Sequence, residues 1–256
     1  MKQINCIPQF GLGTWQRKGP EGRALIAEAI AMGYRHIDTA QSYDTEQHVG
    51  AAMRESGLGR DAFFVTTKVA TTNLARNHFL PSFAGSLERL GIDRIDLTLI
   101  HWPPIDPALP FDQTVEDLAE AQARGWTRSI GVSNFPIALL KRAEEILGPG
   151  RIINNQVEVH PFLQNRKLRD HCAAKGISVT AYLPLARGKT AEDPVLRRIG
   201  AKHGATGAQV SLAFLMREGL IVIPATSRPE RLAENLGALD VVLDEEDMAA
   251  IRALDR

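Results

Sequence analysis

The sequence has little from which to build a cross-linked, membrane-spanning or highly charged protein. It holds two cysteines, Cys6 and Cys172, too few for a disulfide framework and read as ordinary free thiols. No apolar run is long enough to span a bilayer. The start MKQINCIPQF lacks the charged-then-apolar order of a secretory leader, so a cytoplasmic location is expected. Lys plus Arg and Asp plus Glu number 30 each, a zero balance that excludes long-range attraction to nucleic acid or acidic lipid. No Pro/Gly/Ser-rich linker, low-complexity tract or charge block divides the 256 residues, so one domain over 1–256 is expected.

A glycine-rich dinucleotide turn is also missing. Gly11 and Gly13 have the right spacing, but Gln16 stands where the third glycine would fall and Pro20 soon interrupts. That disfavours a doubly wound open sheet. What the chain does have is 44% hydrophobic residues, enough for a large core, and a steady strand–helix alternation. Strands are expected at 10–14, 36–39, 63–69, 95–101, 128–133, 155–160, 178–183 and 220–224. Helices are expected at 22–32, 46–55, 74–90, 114–123, 137–147, 166–175, 194–203, 207–217, 230–236 and, last, 245–254. Eight βα units in about 250 residues make the fold class α/β, a (β/α)8 TIM barrel with a short N-terminal segment and an extra C-terminal helix.

Barrel chemistry sits at the strand C-termini, and here those ends read Asp38, Lys68, His101, Ser133-Asn134, Gln156, Tyr182 and Thr226. The stretch GYRHIDTAQSYD, residues 33–44, carries the first of them. A buried aspartate needs a cation, and Lys68 ends the next apolar run. A tyrosine beside that lysine, Tyr43, would have its pKa lowered by the positive charge and so become a usable proton donor. Each residue alone has a bland alternative. Lys68 could snorkel at the rim, His101 and Tyr182 could be core residues, and Ser133 and Asn134 could cap the next helix. Further on, a strand runs into Thr226 and Ser227, with Pro229 at the first helical position and Arg228 and Arg231 beside it. That is a helix start suited to phosphate, or simply a capped helix with two solvated arginines.

The motifs GYRHIDTAQSYD, TTKV, LTLIHWP, IGVSNF, NQVEVHP, AYLPLA and VIPATSRPERLAEN together resemble the aldo-keto reductase family along essentially the entire chain. Within it, DTAQSYD, DLTLIHWP, PFLQNRK and GAQVSLAF look most like the prokaryotic 2,5-diketo-D-gluconate reductases of the shorter B type. The resemblance implies a catalytic tetrad of Asp38, Tyr43, Lys68 and His101, and an extended NADPH/NADP+. It implies that Ser133, Asn134 and Gln156 hold the carboxamide and that Tyr182 stacks on the nicotinamide. It places Leu183 and Leu185 at the pyrophosphate, and Thr226, Ser227, Arg228, Arg231 and Asn235 at the adenosine 2′-phosphate end. Gly13, Thr14 and Asp38 would also lie along the cofactor. Trp15, Tyr43, His101 and Trp102 would line the substrate pocket, with no metal.

The resemblance further implies a monomer whose partner is a small carbonyl compound such as methylglyoxal, a diketo sugar acid or an aromatic aldehyde. Three departures stand out. Ala225 occupies a position where many relatives have lysine, Ala70 one where they often have an aromatic, and the chain ends at Arg256 without the tail that covers their pocket. An open pocket with broad substrate choice is expected. Two rivals come from other classes. One is a nicotinamide-nucleotide-binding regulatory module with little turnover. The other is a metal-dependent barrel hydrolase using His36, Asp38, His101, His160 and Lys68, against which His36-x-Asp38 stands where a paired His-x-His is wanted, while Tyr43 goes unexplained.

Overall fold

The computed structural model describes residues 2–104 and 109–256. It opens on a small antiparallel hairpin, β1 (Gln3–Ile4) and β2 (Ile7–Pro8), which the sequence pattern did not announce. Eight short strands follow: β3 (Leu12–Gly13), β4 (His36–Asp38), β5 (Phe64–Val69), β6 (Ile95–Ile100), β7 (Thr127–Ser133), β8 (Ile152–Glu158), β9 (Ser178–Tyr182) and β10 (Ile221–Val222). They pair in parallel, each with its neighbour in sequence. The two edges then meet through a parallel bridge between Phe10 and Val222. Gly11 N donates to Val222 O and Val222 N to Gln9 O, both at 2.9 Å. The curled sheet is that of a (β/α)8 fold.

Parallel strands covered on both faces need continuous apolar runs rather than alternation, and every residue of β5 and β6 is buried. Around them lie α1 (Gly19–Ala31), α2 (Glu46–Glu55), α3 (Arg76–Leu90), α4 (Phe111–Ala123), α5 (Ile137–Leu147) and α6 (Arg166–Ala174). The remaining helices are α7 (Lys189–Glu192), α8 (Pro194–His203), α9 (Gly207–Arg217), α10 (Glu230–Leu236) and α11 (Glu245–Arg252). Local chemistry sets several of the ends. Gly91 closes α3 in the left-handed conformation at φ 66°. Asp193 caps α8, and the pairs Thr206/Gln209 and Asp244/Asp247 form reciprocal capping boxes on α9 and α11. No helix among the described residues is long and apolar enough to cross a membrane.

The main departure from the expected elements is β8, which begins at Ile152 and ends at Glu158, not 155–160. Asn154 falls outside the expected strand and has the low strand preference of an asparagine, yet it and Asn155 are both fully buried strand positions. Asn154 Nδ2 donates to Ser178 Oγ and Thr180 Oγ1, and Asn155 Nδ2 to Phe135 O. Tertiary partners thus override their local preference. His101 and His160 lie just past their strands rather than in them. Pro229 is the residue before α10 rather than its first.

Candidate active site

Register explains how two distant residues meet. Asp38 at the end of β4 pairs with Thr66 of β5, and side chains two apart on a strand share a face. Lys68 therefore stands one pleat further on, above Asp38. Its Nζ donates to Asp38 Oδ1 at 2.5 Å and to Thr39 O at 2.9 Å. The ammonium is fully buried and the carboxylate 2% exposed, so each is the other's compensation. The second carboxylate oxygen accepts from Gln156 Nε2 at 2.7 Å. Behind it, Thr14 N and Oγ1 donate to Asp38 O.

Tyr43 arrives from a loop. After Asp38 the chain makes a 3-10 turn, Gln41–Tyr43, and leaves it through Asp44 at φ 57°. Lys68 Nζ lies 3.5 Å from Tyr43 OH. His101 follows β6 directly, its ring edge-on to Tyr43 with centroids 5.4 Å apart. Asp38, Tyr43, Lys68 and His101 are thus gathered at one end of the sheet.

The electrostatics correct one expectation. Tyr43 is raised, not lowered, from its ordinary phenol value, because burial is the largest influence; Lys68 pulls it down and Asp38 pushes it up again. For Lys68 itself burial acts downward, but Asp38 and Tyr43 outweigh it and the ammonium is held charged. Burial and then the charge of Lys68 lower His101 to about 3, leaving a neutral imidazole.

Around this group the other expected residues form a connected rim. Ser133 Oγ donates to Gln156 O at 2.8 Å. Asn134, in the left-handed conformation at φ 63°, donates from Nδ2 to His101 O and Ser133 Oγ and accepts from Tyr182 OH at 2.9 Å. Tyr182 is half-buried at the end of β9, and burial raises it to about 12. Gly13 N donates to Pro224 O, and a Cβ at Gly13 would come 2.8 Å from Ile223 O; only hydrogen fits there.

The loop after β9 is tightly wound. Leu183, Ala186 and Arg187 all have positive φ, and Ala186 N donates to Leu183 O beside Leu185. Strain of this kind in non-glycine residues collects at functional rims. Thr226 Oγ1 accepts from Arg228 N, Ser227, Arg228 and Arg231 are exposed, and Asn235 is buried.

Trp15 and Trp102, past the ends of β3 and β6, are 44% and 46% exposed, two large apolar rings left uncovered at this end. A cavity of about 410 Å³ lies to one side, between the loops after β8 and β9. It is bordered by Glu158, His160, Phe162, Arg187, Lys189 and Arg256, not by the four gathered residues. Sequence reasoning passed over Gln41 and Ser42, which sit in the same turn as Tyr43. Gln41 bonds Ala70 N, Asn73 and Ser86, and Ser42 bonds His101. Their place inside DTAQSYD, two and one residues before the phenol, was the available signal.

His36 and His160 do not join the site. His36 stands at the opposite end of β4, with Nδ1 on Pro8 O and Nε2 on Thr66 Oγ1. His160 accepts from Phe162 N and faces Glu158. Among the described residues no three His, Cys, Asp or Glu side chains come together as a metal set.

Known proteins share this arrangement of sequence and fold. The model of the Aldo/keto reductase family matches residues 9–256. A methylglyoxal reductase DkgB of Salmonella typhimurium is 47% identical over 249 residues, which are 97% of this chain and 93% of that protein. A glyoxal reductase of Bacillus subtilis is 39% identical over 253 residues, covering 98% and 90%. The crystal structure of an aldo/keto reductase from Brucella melitensis superposes with a TM-score of 0.92 at 40% identity, covering 97% of this chain and 95% of that one. With a match that runs almost end to end in both sequence and backbone, the chain belongs to the aldo/keto reductase family.

Proposed function

We propose that this oxidoreductase reduces aldehydes and ketones to alcohols with NADPH, Tyr43 acting as the general acid. The observation that carries the reading is the buried chain of contacts Asp38–Lys68–Tyr43 with neutral His101 beside it. Charge grows on a carbonyl oxygen as the carbon is reduced, and donors fixed in advance stabilise it best. Tyr43 is a donor, and burial keeps its proton on at neutral pH. Lys68 stands behind it as a fixed positive charge that eases proton release, and Asp38 keeps Lys68 in place. His101, uncharged, can donate a hydrogen bond to the same oxygen. Trp15 and Trp102 supply apolar walls.

The residues fit a nicotinamide dinucleotide. Gln156 spends its Nε2 on Asp38, and its Oε1 has no hydrogen bond among the described residues, leaving an acceptor for a carboxamide N–H. Ser133 and Asn134 stand beside it. Tyr182 offers a half-open ring for stacking, and the wound turn at Leu183 and Leu185 suits a pyrophosphate. Asn235 is buried, yet its amide has no hydrogen bond among the described residues, as a group awaiting an adenosine would. Thr226, Ser227, Arg228 and Arg231 would meet a 2′-phosphate; Ala225 adds no charge there. When bound, the cofactor supplies the hydride.

The names of the relatives bring methylglyoxal and glyoxal forward as first substrates. A panel of these with aromatic aldehydes and diketo sugar acids, followed by loss of reduced-nicotinamide absorbance with NADPH and with NADH, tests the reading. Turnover of at least one carbonyl with a preference for NADPH is expected; tight cofactor binding without turnover of any would favour the regulatory module. Arg228→Ala is expected to weaken NADPH by about tenfold, the worth of one charge-assisted contact, and NADH little. Equal loss for both would remove Arg228 from the 2′-phosphate.

A further inference from the structure

Ser42 occupies the position just before Tyr43, and its Oγ lies 3.2 Å from His101 Nδ1. The contact is exposed on the serine side and crosses from the turn after β4 to the residue after β6. Three further features fix the residue and its state. Asn134 Nδ2 binds its backbone carbonyl, the Tyr43 ring meets it edge-on, and burial beside Lys68 keeps it uncharged. A neutral imidazole carries one proton, on one nitrogen or the other. The hydroxyl of Ser42 fits both tautomers, and their consequences are opposite.

With the proton on Nδ1, Ser42 would accept and Nε2 would present a lone pair, which repels a carbonyl oxygen. With the proton on Nε2, Ser42 donates to Nδ1 and the far side of the ring becomes a hydrogen-bond donor. Among the described residues Nε2 has no hydrogen-bond partner, so it is the nitrogen left for a ligand. Resting on the carbonyl-reductase reading, we propose that Ser42 is a positioning residue. Its hydroxyl donates to Nδ1 and holds His101 as the Nε2–H tautomer, which presents that N–H to the oxygen of the substrate carbonyl.

The logic is that of a second group orienting a histidine so that its other nitrogen does the work. Here the orienting group is a hydroxyl rather than a carboxylate. That choice matters beside Lys68: a carboxylate would favour a protonated ring, whereas a neutral donor fixes the tautomer without adding charge. His101 then reads the direction of the carbonyl and leaves proton transfer to Tyr43.

Two measurements test it on the full chain, with Ser42→Ala and Ser42→Thr. The first is the nitrogen NMR of 15N-histidine-labelled protein near neutral pH, where the two ring nitrogens of His101 report the tautomer directly. The parent and Ser42→Thr are expected as Nε2–H, and Ser42→Ala as a mixture. The second is steady-state reduction of methylglyoxal with NADPH. Ser42→Ala is expected to lose about tenfold in kcat/KM, near the value of one hydrogen bond, chiefly through KM. NADPH affinity should be unchanged, and Ser42→Thr should recover to within about twofold of the parent. A parent ring protonated on Nδ1, or a Ser42→Ala protein that keeps both the tautomer and kcat/KM, would overturn the assignment. Because the tautomer is read without turnover, a parent that reduces no carbonyl would sink the reductase reading while Ser42's hold on His101 is still decided separately.

Discussion

Lys68 is the residue on which the others converge: it is fully buried, it holds Asp38, and it lies within 3.5 Å of the Tyr43 hydroxyl. Removing it would leave a buried carboxylate uncompensated at a cost of about 3–5 kcal/mol, which confounds catalysis with folding. Tyr43→Phe is the cleaner probe. It deletes one half-buried hydroxyl and keeps the ring that packs on His101. Turnover is expected to fall by about 10²–10⁴, the usual worth of a general acid, while NADPH still binds by fluorescence titration. Near-normal turnover would remove Tyr43 from the chemistry. The pH profile follows from the raised phenol. The acid form is the working one, so kcat/KM for reduction is expected to stay level from neutrality up to the ordinary phenol value, about pH 10, and fall only above it. A fall centred near neutrality would mean that Lys68 outweighs burial.

At the scale of elements, the loops leaving the strands do the positioning, and Gln41 shows how. Its Nε2 donates to Ser82 O, Ser82 Oγ and Ser86 Oγ on α3, and its Oε1 accepts from Ala70 N and Asn73 Nδ2 just past β5. One amide therefore ties the Tyr43 turn to the strand that carries Lys68. Gln41→Ala is expected to lower kcat by roughly tenfold and stability by about 1–2 kcal/mol, read from turnover and a urea midpoint. A stability loss with unchanged kcat would make Gln41 a staple of the fold only. Such ties explain what could be read beforehand. The strand order, the residues at the strand ends and the Asp38–Lys68 pair were legible, because apolar runs and their boundaries are local signals and a buried carboxylate demands a cation. Other features depended on partners far away in sequence. The strand position of Asn154 rests on Ser178 and Thr180. The net rise of the Tyr43 pKa rests on how deeply the loop packs, which no motif records. The hairpin at Gln3–Pro8 was too short to carry any period.

The molecule as a whole divides its labour between the two ends of the sheet. Where the strands finish lie the ionised pair, the phenol and the strained loops. Where they begin, the N-terminal hairpin packs across the opening: Asn5 Nδ2 donates to Ile153 O and to Gly176 O, at the starts of β8 and β9. Beneath it His36 is 1% exposed, bonded to Pro8 O of the hairpin and to Thr66, with the Phe64 ring edge-on. Gly11 lies so close that an added Cβ would come 2.7 Å from the imidazole, so a larger residue there would crowd the ring. Burial lowers its pKa to about 4, only partly offset by Asp38 and the Pro8 carbonyl. In the unfolded chain the same group titrates at about 6.5. Between those values the unfolded state binds a proton that the folded state refuses, so stability rises with pH across the window and is lost as pH falls from about 6.5 to about 4. The full difference is roughly 3 kcal/mol. His36→Gln keeps a donor and an acceptor but cannot titrate. It is expected to start less stable at pH 7 and to lose about 2–3 kcal/mol less than the parent on going to pH 4.5, by urea unfolding at both values. His101, lowered to about 3, titrates alike in both proteins and cancels from the comparison. Equal losses in the two would show that the acid sensitivity of the fold lies elsewhere than in this buried imidazole.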